Sequence, residues 1–103
     1  MTAPQLDRLL SDPTRLALMS VLCAAEWCEF AFLRDEVSLS DSALSKQLAT
    51  LKKAEYIEQR RTYLGRVPKT SVQATGEGRQ RFLEHVEALQ QIVARTPRRS
   101  EAT

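Results

Sequence analysis

The sequence has little of what all-β, disulfide-linked or membrane proteins need. Three glycines and four prolines in 103 residues are too few for the many tight turns of an all-β domain. Two cysteines cannot supply a disulfide framework or a four-cysteine zinc site. No apolar run approaches the roughly 18 to 20 residues that span a bilayer. The N-terminus lacks a basic stretch leading into an apolar core, so the sequence predicts a cytoplasmic protein.

Side-chain arrangements typical of enzymes are also missing. The chain has one histidine and no glycine-rich phosphate loop, and its serines at 38–45 have no histidine near them in sequence. A nucleophile needs an aligned base, and phosphate loops need glycine. We therefore expect no enzymatic activity and no cofactor. We expect His85, between acidic neighbours, at the surface or a dimer edge and not in a metal site.

The two thiols, Cys23 and Cys28, do not form a metal-binding pair. Five residues apart, they would lie about 140° apart on one helix, so we assign no metal. Cys23 falls in a very apolar segment and is expected to be a buried structural thiol. Cys28 follows Trp27, near the expected end of the helix that contains Cys23. Greater exposure there would leave reversible oxidation of Cys28 open.

Length and composition predict one small domain that is mainly helical. A chain of 103 residues with 43% hydrophobic and 27% charged residues is too short for two cores. We expect an α+β domain over residues 1–94. The tail over 95–103 contains Pro97 among charged and small residues and is expected to be disordered.

Hydrophobic spacing predicts four helices before a hairpin. Asp12-Pro13 is typical of a helix start, since the aspartate can cap and the proline suits the first turn. Ser40 can cap a later helix in the same way. The predicted segments are a short amphipathic helix with Leu6, Leu9 and Leu10, a buried helix from about Pro13 to Trp27, and a helix-turn-helix pair over 29–37 and 41–54.

Two strand-like segments and a long helix complete the predicted order. Residues 57–63 and 70–74 alternate apolar and polar side chains, which favours a two-stranded hairpin. Pro68 and Gly65 predict an irregular basic tip over 64–69. Thr75 can cap the last helix, which carries Phe82, Val86, Leu89 and Val93. Their spacing of 4, 3 and 4 is typical of a stripe that packs on a partner helix.

The positive charge of the chain is concentrated in its middle. The formal net charge is +2, but residues 41–69 hold seven lysines and arginines against three carboxylates, a net +4, which leaves −2 elsewhere. A cationic surface attracts polyanions even when the total charge is small. The pattern favours a nucleic-acid partner.

The chain resembles the winged-helix regulators of bacteria, in particular the ArsR and MarR groups. Four segments carry the likeness. They are 12–16 (DPTRL) at the start of the buried helix, 42–48 (SALSKQL) with Leu51 in the helix over 41–54, 54–57 (AEYI) at the exit of the helix over 41–54, and 75–79 (TGEGR) at the start of the last helix. The resemblance implies a winged helix-turn-helix with a two-stranded β-wing and a long C-terminal dimerisation helix. Many relatives have glycine where this chain has Glu55, and we expect the helix exit to differ slightly there.

The resemblance implies a homodimeric repressor that binds a near-palindromic operator in double-stranded DNA. The helix over 41–54 would lie in the major groove, and Arg66 would enter the neighbouring minor groove. Predicted DNA-binding residues are Ser40, Asp41, Ser42, Ser45, Lys46, Gln47, Ala49, Lys53, Arg60, Arg61, Arg66 and Lys69. Predicted dimerisation residues are Leu6, Leu9, Leu10, Phe82, Val86, Leu89 and Val93. Two alternatives stay open: a protein-interaction module of the same fold, and a thiol-responsive DNA-binding sensor.

Overall fold

A computed structural model describes residues 5–95 as four α-helices and a three-stranded sheet. A 3₁₀ turn, Leu9–Ser11, precedes the first helix. The elements are α1 Pro13–Cys23, β1 Cys28–Glu29, α2 Phe30–Glu36, α3 Asp41–Lys53, β2 Ile57–Leu64, β3 Val67–Ala74 and α4 Gly76–Arg95. This order confirms the predicted winged helix-turn-helix with a long last helix, but the short first helix predicted around Leu6, Leu9 and Leu10 is only the 3₁₀ turn.

Helix α1 begins as predicted and ends earlier than predicted. The Asp12 carboxylate accepts a hydrogen bond from the Arg15 N–H, and Pro13 occupies the first turn. The helix stops at Cys23, whose carbonyl oxygen accepts a hydrogen bond of 2.6 Å from Arg79 Nη1 on α4. The extension to Trp27 was wrong because the chain turns here to form β1.

The helix-turn-helix pair forms where the sequence placed it. Ser40 Oγ accepts from the Ala43 N–H at 3.2 Å and so caps α3. In the preceding turn Ser38 has a positive φ of 54°, and the Leu39 N–H donates to the Arg34 carbonyl. This is the Schellman arrangement, in which a left-handed residue lets the last carbonyls of a helix find donors.

The sheet differs from the predicted two-stranded wing in two ways. Its strand order is β1-β3-β2, with β1 pairing at Cys28↔Val72 and Glu29↔Ser71. The hairpin is regular to its last pair, Leu64↔Val67, and only two residues form its turn. The prediction of an irregular tip over 64–69 was therefore wrong. Pro68 is accommodated because β1 does not extend that far along β3, so its missing N–H lies at an unpaired edge.

The core lies between the helices and the inner face of the sheet. Leucines dominate it because each helix turns one apolar stripe inward. Its buried members are Leu10, Leu18, Met19, Leu22, Cys28, Leu33, Leu44, Leu48, Leu51, Tyr56, Ile57, Val72 and Ala74. This core fixes α3 and the base of the wing relative to each other.

Helix α4 packs one face on the core through an unusually close contact. Thr75 Oγ1 accepts from the Gly78 N–H at 2.9 Å and caps the helix as predicted. Gly78, His85 and Ala88 form the buried face. A Cβ on Gly78 would lie 2.1 Å from the Tyr56 carbonyl oxygen, so only glycine allows this approach.

The predicted tail lies almost entirely outside the described residues, because α4 continues to Arg95 and residues 96–103 are not described. The predicted domain boundary at residue 94 stays a prediction. Among residues 5–95, no helix combines the length and the apolar character needed to cross a membrane.

Candidate nucleic-acid interface

Helix α3 presents a polar face opposite its buried leucines. Leu44, Leu48 and Leu51 are buried in the core. Because a helix repeats every 3.6 residues, the positions between them face solvent. The predicted DNA-binding residues that are exposed on α3 are Asp41, Ser42, Ser45, Lys46, Ala49 and Lys53. The helix therefore offers small hydroxyls and lysines to solvent along its length.

At the start of α3, Asp41 is engaged by an arginine that the sequence interpretation missed. Arg34 Nη1 on α2 lies 3.0 Å from Asp41 Oδ1, and Arg34 Nε lies 3.1 Å from Asp35 Oδ1. The hydrogen bond to Asp41, followed by that to Asp35, raises the pKa of Arg34. Since Asp41 is the only carboxylate on α3, this pairing offsets the only negative charge of the helix.

Gln47 does not belong to the exposed face to which the sequence interpretation assigned it. Its side chain is half-buried, and Gln47 Oε1 accepts a hydrogen bond of 3.0 Å from Arg15 Nη1. Arg15 Nε also donates to the Leu9 carbonyl at 2.7 Å. Gln47 thus ties α3 to α1 and the N-terminal segment, which corrects its predicted contact with a base.

The wing carries the remaining predicted cations, and the strand register separates them by face. Residues paired directly across two strands project from the same face of the sheet, and successive residues along a strand project from opposite faces. Arg60 and Lys69 therefore lie on one face of the wing and Arg61 lies on the other. The Arg60 guanidinium stacks 4.1 Å from the centre of the Trp27 ring. Arg66 lies in the two-residue turn after Gly65, whose φ is +65°. Glycine at the first of two turn residues is typical of a type II′ hairpin turn.

Large apolar side chains also cover the tip of the wing, which sequence analysis did not single out. Tyr63, Leu64 and Val67 expose 64%, 72% and 56% of their surface. No acidic residue occurs between Gln59 and Thr70. The tip is thus apolar and cationic together.

A sequence profile of the winged helix DNA-binding domain family matches residues 14–93, which is most of the chain. The chain belongs to this family. The match confirms the resemblance inferred from the sequence at the level of the winged helix and leaves the ArsR or MarR subgroup a prediction.

Individual relatives of this winged helix domain agree with the family assignment. MJ0432, an uncharacterized protein of Methanocaldococcus jannaschii, is 27% identical over 86 residues, which are 82% of this chain and 92% of that protein. A transcriptional regulator homologue from Pyrococcus horikoshii superposes with a TM-score of 0.81 at 19% identity, over 85% of this chain and 87% of that chain. The S. aureus MepR–DNA complex gives a TM-score of 0.71 at 12% identity, over 84% and 74% of the two chains. At such identities the likeness to solved structures establishes the fold.

The predicted dimerisation residues of this winged helix domain fall into three classes of exposure. Leu10 is fully buried in the core of the protomer, so its assignment to a dimer surface was wrong. Leu9 and Phe82 are half-buried and pack against that core. Val86 and Leu89 are half-buried, while Leu6 and Val93 are exposed. Leu83 and Ile92 extend the exposed apolar part of α4 beyond the predicted stripe.

The thiols have the opposite exposure from the one predicted. Cys28 is only 4% exposed in β1, whereas Cys23 at the end of α1 is half-buried. Burial raises the pKa of both thiols, and for Cys23 the nearby Arg79 partly offsets the increase. A raised pKa lowers the thiolate fraction, and with it the reactivity of a thiol. Within residues 5–95, no three His, Cys, Asp or Glu side chains lie close enough together to hold a metal ion.

His85 is buried within the protomer, not at the surface or a dimer edge as we expected. Its Nδ1 accepts a hydrogen bond of 2.9 Å from the Asp7 N–H, which leaves Nε2 to carry the proton. The Asp7 carboxylate accepts from the Tyr56 hydroxyl and from the Leu9 N–H. These bonds join the N-terminal segment, the α3–β2 connection and α4. Nothing in the spacing of His85 indicated this, since its partner is 78 residues away.

Proposed function

We propose that this chain is a sequence-specific, double-stranded DNA-binding transcriptional regulator that acts as a homodimeric repressor. One observation carries the proposal: α3 turns serines and lysines outward over a leucine core, beside a cationic wing that has no carboxylate near its tip. A convex helix flanked by a cationic ribbon matches the shape and charge of a DNA groove and its phosphates.

In this proposal α3 lies in the major groove, which is about 12 Å wide. Ser42, Ser45 and Lys46 face the base edges, where hydroxyls donate or accept and lysine reaches guanine acceptors. Lys53 at the end of the helix meets phosphates, which set the register of the protein on the duplex. Arg66 at the wing enters the adjacent minor groove.

Dimerisation is proposed because one copy covers too little DNA. A single small module buries about 600 to 1,000 Å² of protein surface on DNA. Two copies related by a two-fold axis place two α3 helices about 34 Å apart in successive major grooves, which requires a near-palindromic site. The exposed side of α4, where Val93 is 70% exposed, supplies the apolar surface for this pairing.

Repression is the proposed direction of control. A dimer bound across a promoter occupies DNA that polymerase must contact, so binding alone lowers transcription. Family membership and the regulators among the similar structures support DNA binding and transcription control, and repression is the direction that such binding would give. A reporter gene whose promoter carries the DNA sequence that this protein binds checks the direction of control. Expression should fall when the protein is supplied, and a rise would contradict repression.

Selection from random duplex DNA tests the function directly. Purified protein should enrich fragments with a shared, near-palindromic sequence. Affinity for them should fall steeply between about 50 and 200 mM salt, in proportion to the phosphates contacted. Lys46→Ala should weaken binding, whereas Arg81→Ala, which removes an equal charge from α4, should change it little. Enrichment of no sequence, or equal losses in both variants, would reject specific binding through α3.

The dimer is tested by charge placed on α4. Leu89→Glu should give monomers with greatly reduced operator affinity, because a carboxylate in an apolar interface is not solvated. Val93→Glu provides a second test at a position too exposed to threaten folding. Gln80→Glu, on the opposite side of α4, is the matched control. An unchanged mass in solution for the first two variants would refute this interface.

A further inference from the structure

The wing ends in a cluster of apolar side chains that packing within the protomer does not explain. Most of the other exposed large hydrophobic residues lie on α4 or at Leu6, where the proposed dimer would cover them. Phe32 on α2 stands apart from both groups. The remaining three, Tyr63, Leu64 and Val67, surround a two-residue turn at the far end of the β2–β3 ribbon. Exposed apolar surface of this kind marks a contact site.

The register shows that both faces of the ribbon tip are apolar. Leu64 and Val67 are direct partners and therefore project from one face, while the next pair, Tyr63 and Pro68, projects from the other. The tip is thus an edge with an apolar pair on each side.

One cation follows behind each apolar pair. Lys69 lies on the face of Leu64 and Val67, paired with Thr62, and Arg61 lies on the face of Tyr63, paired with Thr70. At about 3.4 Å per residue, Lys69 stands about 7 Å and Arg61 about 10 Å behind the last pair of the hairpin. Arg60 is excluded from this set because Trp27 holds its guanidinium.

The distance from the tip to its cations fits the depth of the minor groove of DNA. The groove is about 7.5 Å deep, its walls are the apolar edges of deoxyribose, and phosphates line each rim. A tip that reaches the floor would place Lys69 and Arg61 at the level of the rims, one for each strand. The missing carboxylates over residues 59–70 match a polyanion more closely than a protein surface.

We propose that the wing tip is a two-sided apolar wedge for the minor groove, in which Leu64 with Val67 and Tyr63 with Pro68 press on opposite sugar walls while Lys69 and Arg61 meet the phosphates of the two strands. The inference rests on the proposed DNA-binding function and assigns the wing a contact that arginine at the turn alone would not make. Many proteins that bind the minor groove insert apolar side chains into it.

Salt dependence separates apolar contacts from ionic ones. The wedge variants are Leu64→Thr/Val67→Thr and Tyr63→Thr, which keep a residue that favours strands. The cation variants are Arg61→Gln and Lys69→Gln, and Phe32→Thr is the control for an exposed apolar residue outside the wing. The probe is the duplex recovered by the selection described above, and thermal melting of each variant checks that it folds like the wild type.

The wedge variants should bind about ten-fold more weakly at every salt concentration, since the apolar burial they lose does not involve ions. The slope of log affinity against log salt should stay unchanged in them. In each cation variant that slope should fall by about 1. Phe32→Thr should match the wild type.

Modified DNA gives a second measurement. Replacing adenine by 2,6-diaminopurine in the segment under the wing adds an amino group to the minor groove and leaves the major-groove edge unchanged. Binding of the wild type should weaken, and binding of the Leu64→Thr/Val67→Thr variant should respond less.

Three outcomes would overturn the wedge. They are wild-type affinity in both wedge variants, an equal response of wild type and variant to the modified DNA, and a smaller oligomer mass in the wedge variants, which would assign the tip to a second copy of the chain. If the wild type bound no duplex at any salt concentration, the proposed function would fail first. Normal wild-type binding with unaffected wedge variants removes only this inference.

Discussion

The junction where α3, β2 and α4 meet differs sharply from the wing that extends beyond it. At the junction the Thr75 N–H donates to the Tyr56 carbonyl at 3.0 Å, and Thr75 Oγ1 donates to the Glu55 carbonyl at 2.7 Å. Gly78 lies against the same backbone segment. In the wing, every residue from Arg60 to Pro68 is exposed, and cross-strand pairing supplies most of its order.

The difference separates residues that determine the fold from residues that are free to determine binding. A close-packed junction tolerates few side chains, because each change in volume meets backbone or buried neighbours. A ribbon with both faces in solvent tolerates many. Substitutions of the same chemical kind should therefore have unequal effects in the two regions.

The largest effect is expected from Gly78→Ala at the junction. The new Cβ would lie 2.1 Å from the Tyr56 oxygen, so backbone must move, and we expect a loss of about 3 kcal/mol in the free energy of unfolding. Urea denaturation measures it. Gly76→Ala is the matched control, because no atom lies within 4 Å of its Cβ position. Equal stabilities for the two variants would contradict the close contact.

Tyr56→Phe tests the bond between the junction and the N-terminal segment. Losing the hydroxyl donor to the Asp7 carboxylate should cost about 1 to 2 kcal/mol near neutral pH. Burial, followed by the bond to Asp7, raises the pKa of Tyr56 from 10.0 to about 12. Above pH 10 the unfolded tyrosine ionises while the folded one keeps its proton, so the wild type loses stability between pH 10 and about 12.

Comparing the wild type with Tyr56→Phe over pH isolates the contribution of this tyrosine, because all other ionisable groups are the same in both proteins. The stability advantage of the wild type over Tyr56→Phe should be constant below pH 10 and should shrink above it. Denaturation at closely spaced pH values measures the difference. An advantage that stayed constant to pH 12 would show that Tyr56 ionises equally in both states.

In the wing, Gly65→Ala should have a small effect on global stability. The residue has a φ of +65°, and an alanine there costs roughly 1 kcal/mol of strain, which fraying of the turn can relieve. We expect a loss of less than about 1 kcal/mol in unfolding free energy with faster amide exchange at Leu64 and Val67. A loss as large as that of Gly78→Ala would mean that the wing is coupled to the core.

Local signals were sufficient for most of the fold. Asp12, Ser40 and Thr75 each cap a helix as their side chains predicted, because a cap involves residues only three apart. The leucine spacing of α3 predicted its buried face for the same reason. Strand β1 was missed because two residues carry no periodicity, and its partner on β3 is more than 40 residues away in sequence.

The candidate site was predicted less completely, since contacts between distant segments decide which polar residues are free. In the sequence, Gln47 and Asp41 are as good candidates for DNA contact as Ser45. In the structure, Gln47 accepts a hydrogen bond from Arg15, and Asp41 accepts one from Arg34. Arg60 is likewise occupied by Trp27. Leu10 was placed on the surface because a short apolar segment does not reveal which of its leucines face the core.

The smallest change in unfolding free energy is expected from Glu55→Gly, which tests whether backbone conformation determines stability at the junction. We expected the exit of α3 to differ from that of relatives with glycine here. Instead Glu55 adopts the left-handed conformation itself, with a φ of 66°. Its N–H donates to the Lys52 carbonyl, and the Tyr56 N–H donates to the Leu51 carbonyl, which is the Schellman arrangement.

Glutamate at this position is therefore strained by about 1 kcal/mol. Glycine would remove this strain, but the greater entropy of its unfolded chain would offset part of the gain in stability. Glu55→Gly should raise the free energy of unfolding by about 0.5 kcal/mol. Glu55→Ala, which removes the charge and keeps Cβ, should leave it unchanged, and Lys52→Gly inside α3 should lower it by about 1 kcal/mol. The opposite signs of two glycine substitutions three residues apart would establish that backbone conformation, and not side-chain contact, controls the exit of α3; equal signs would refute it.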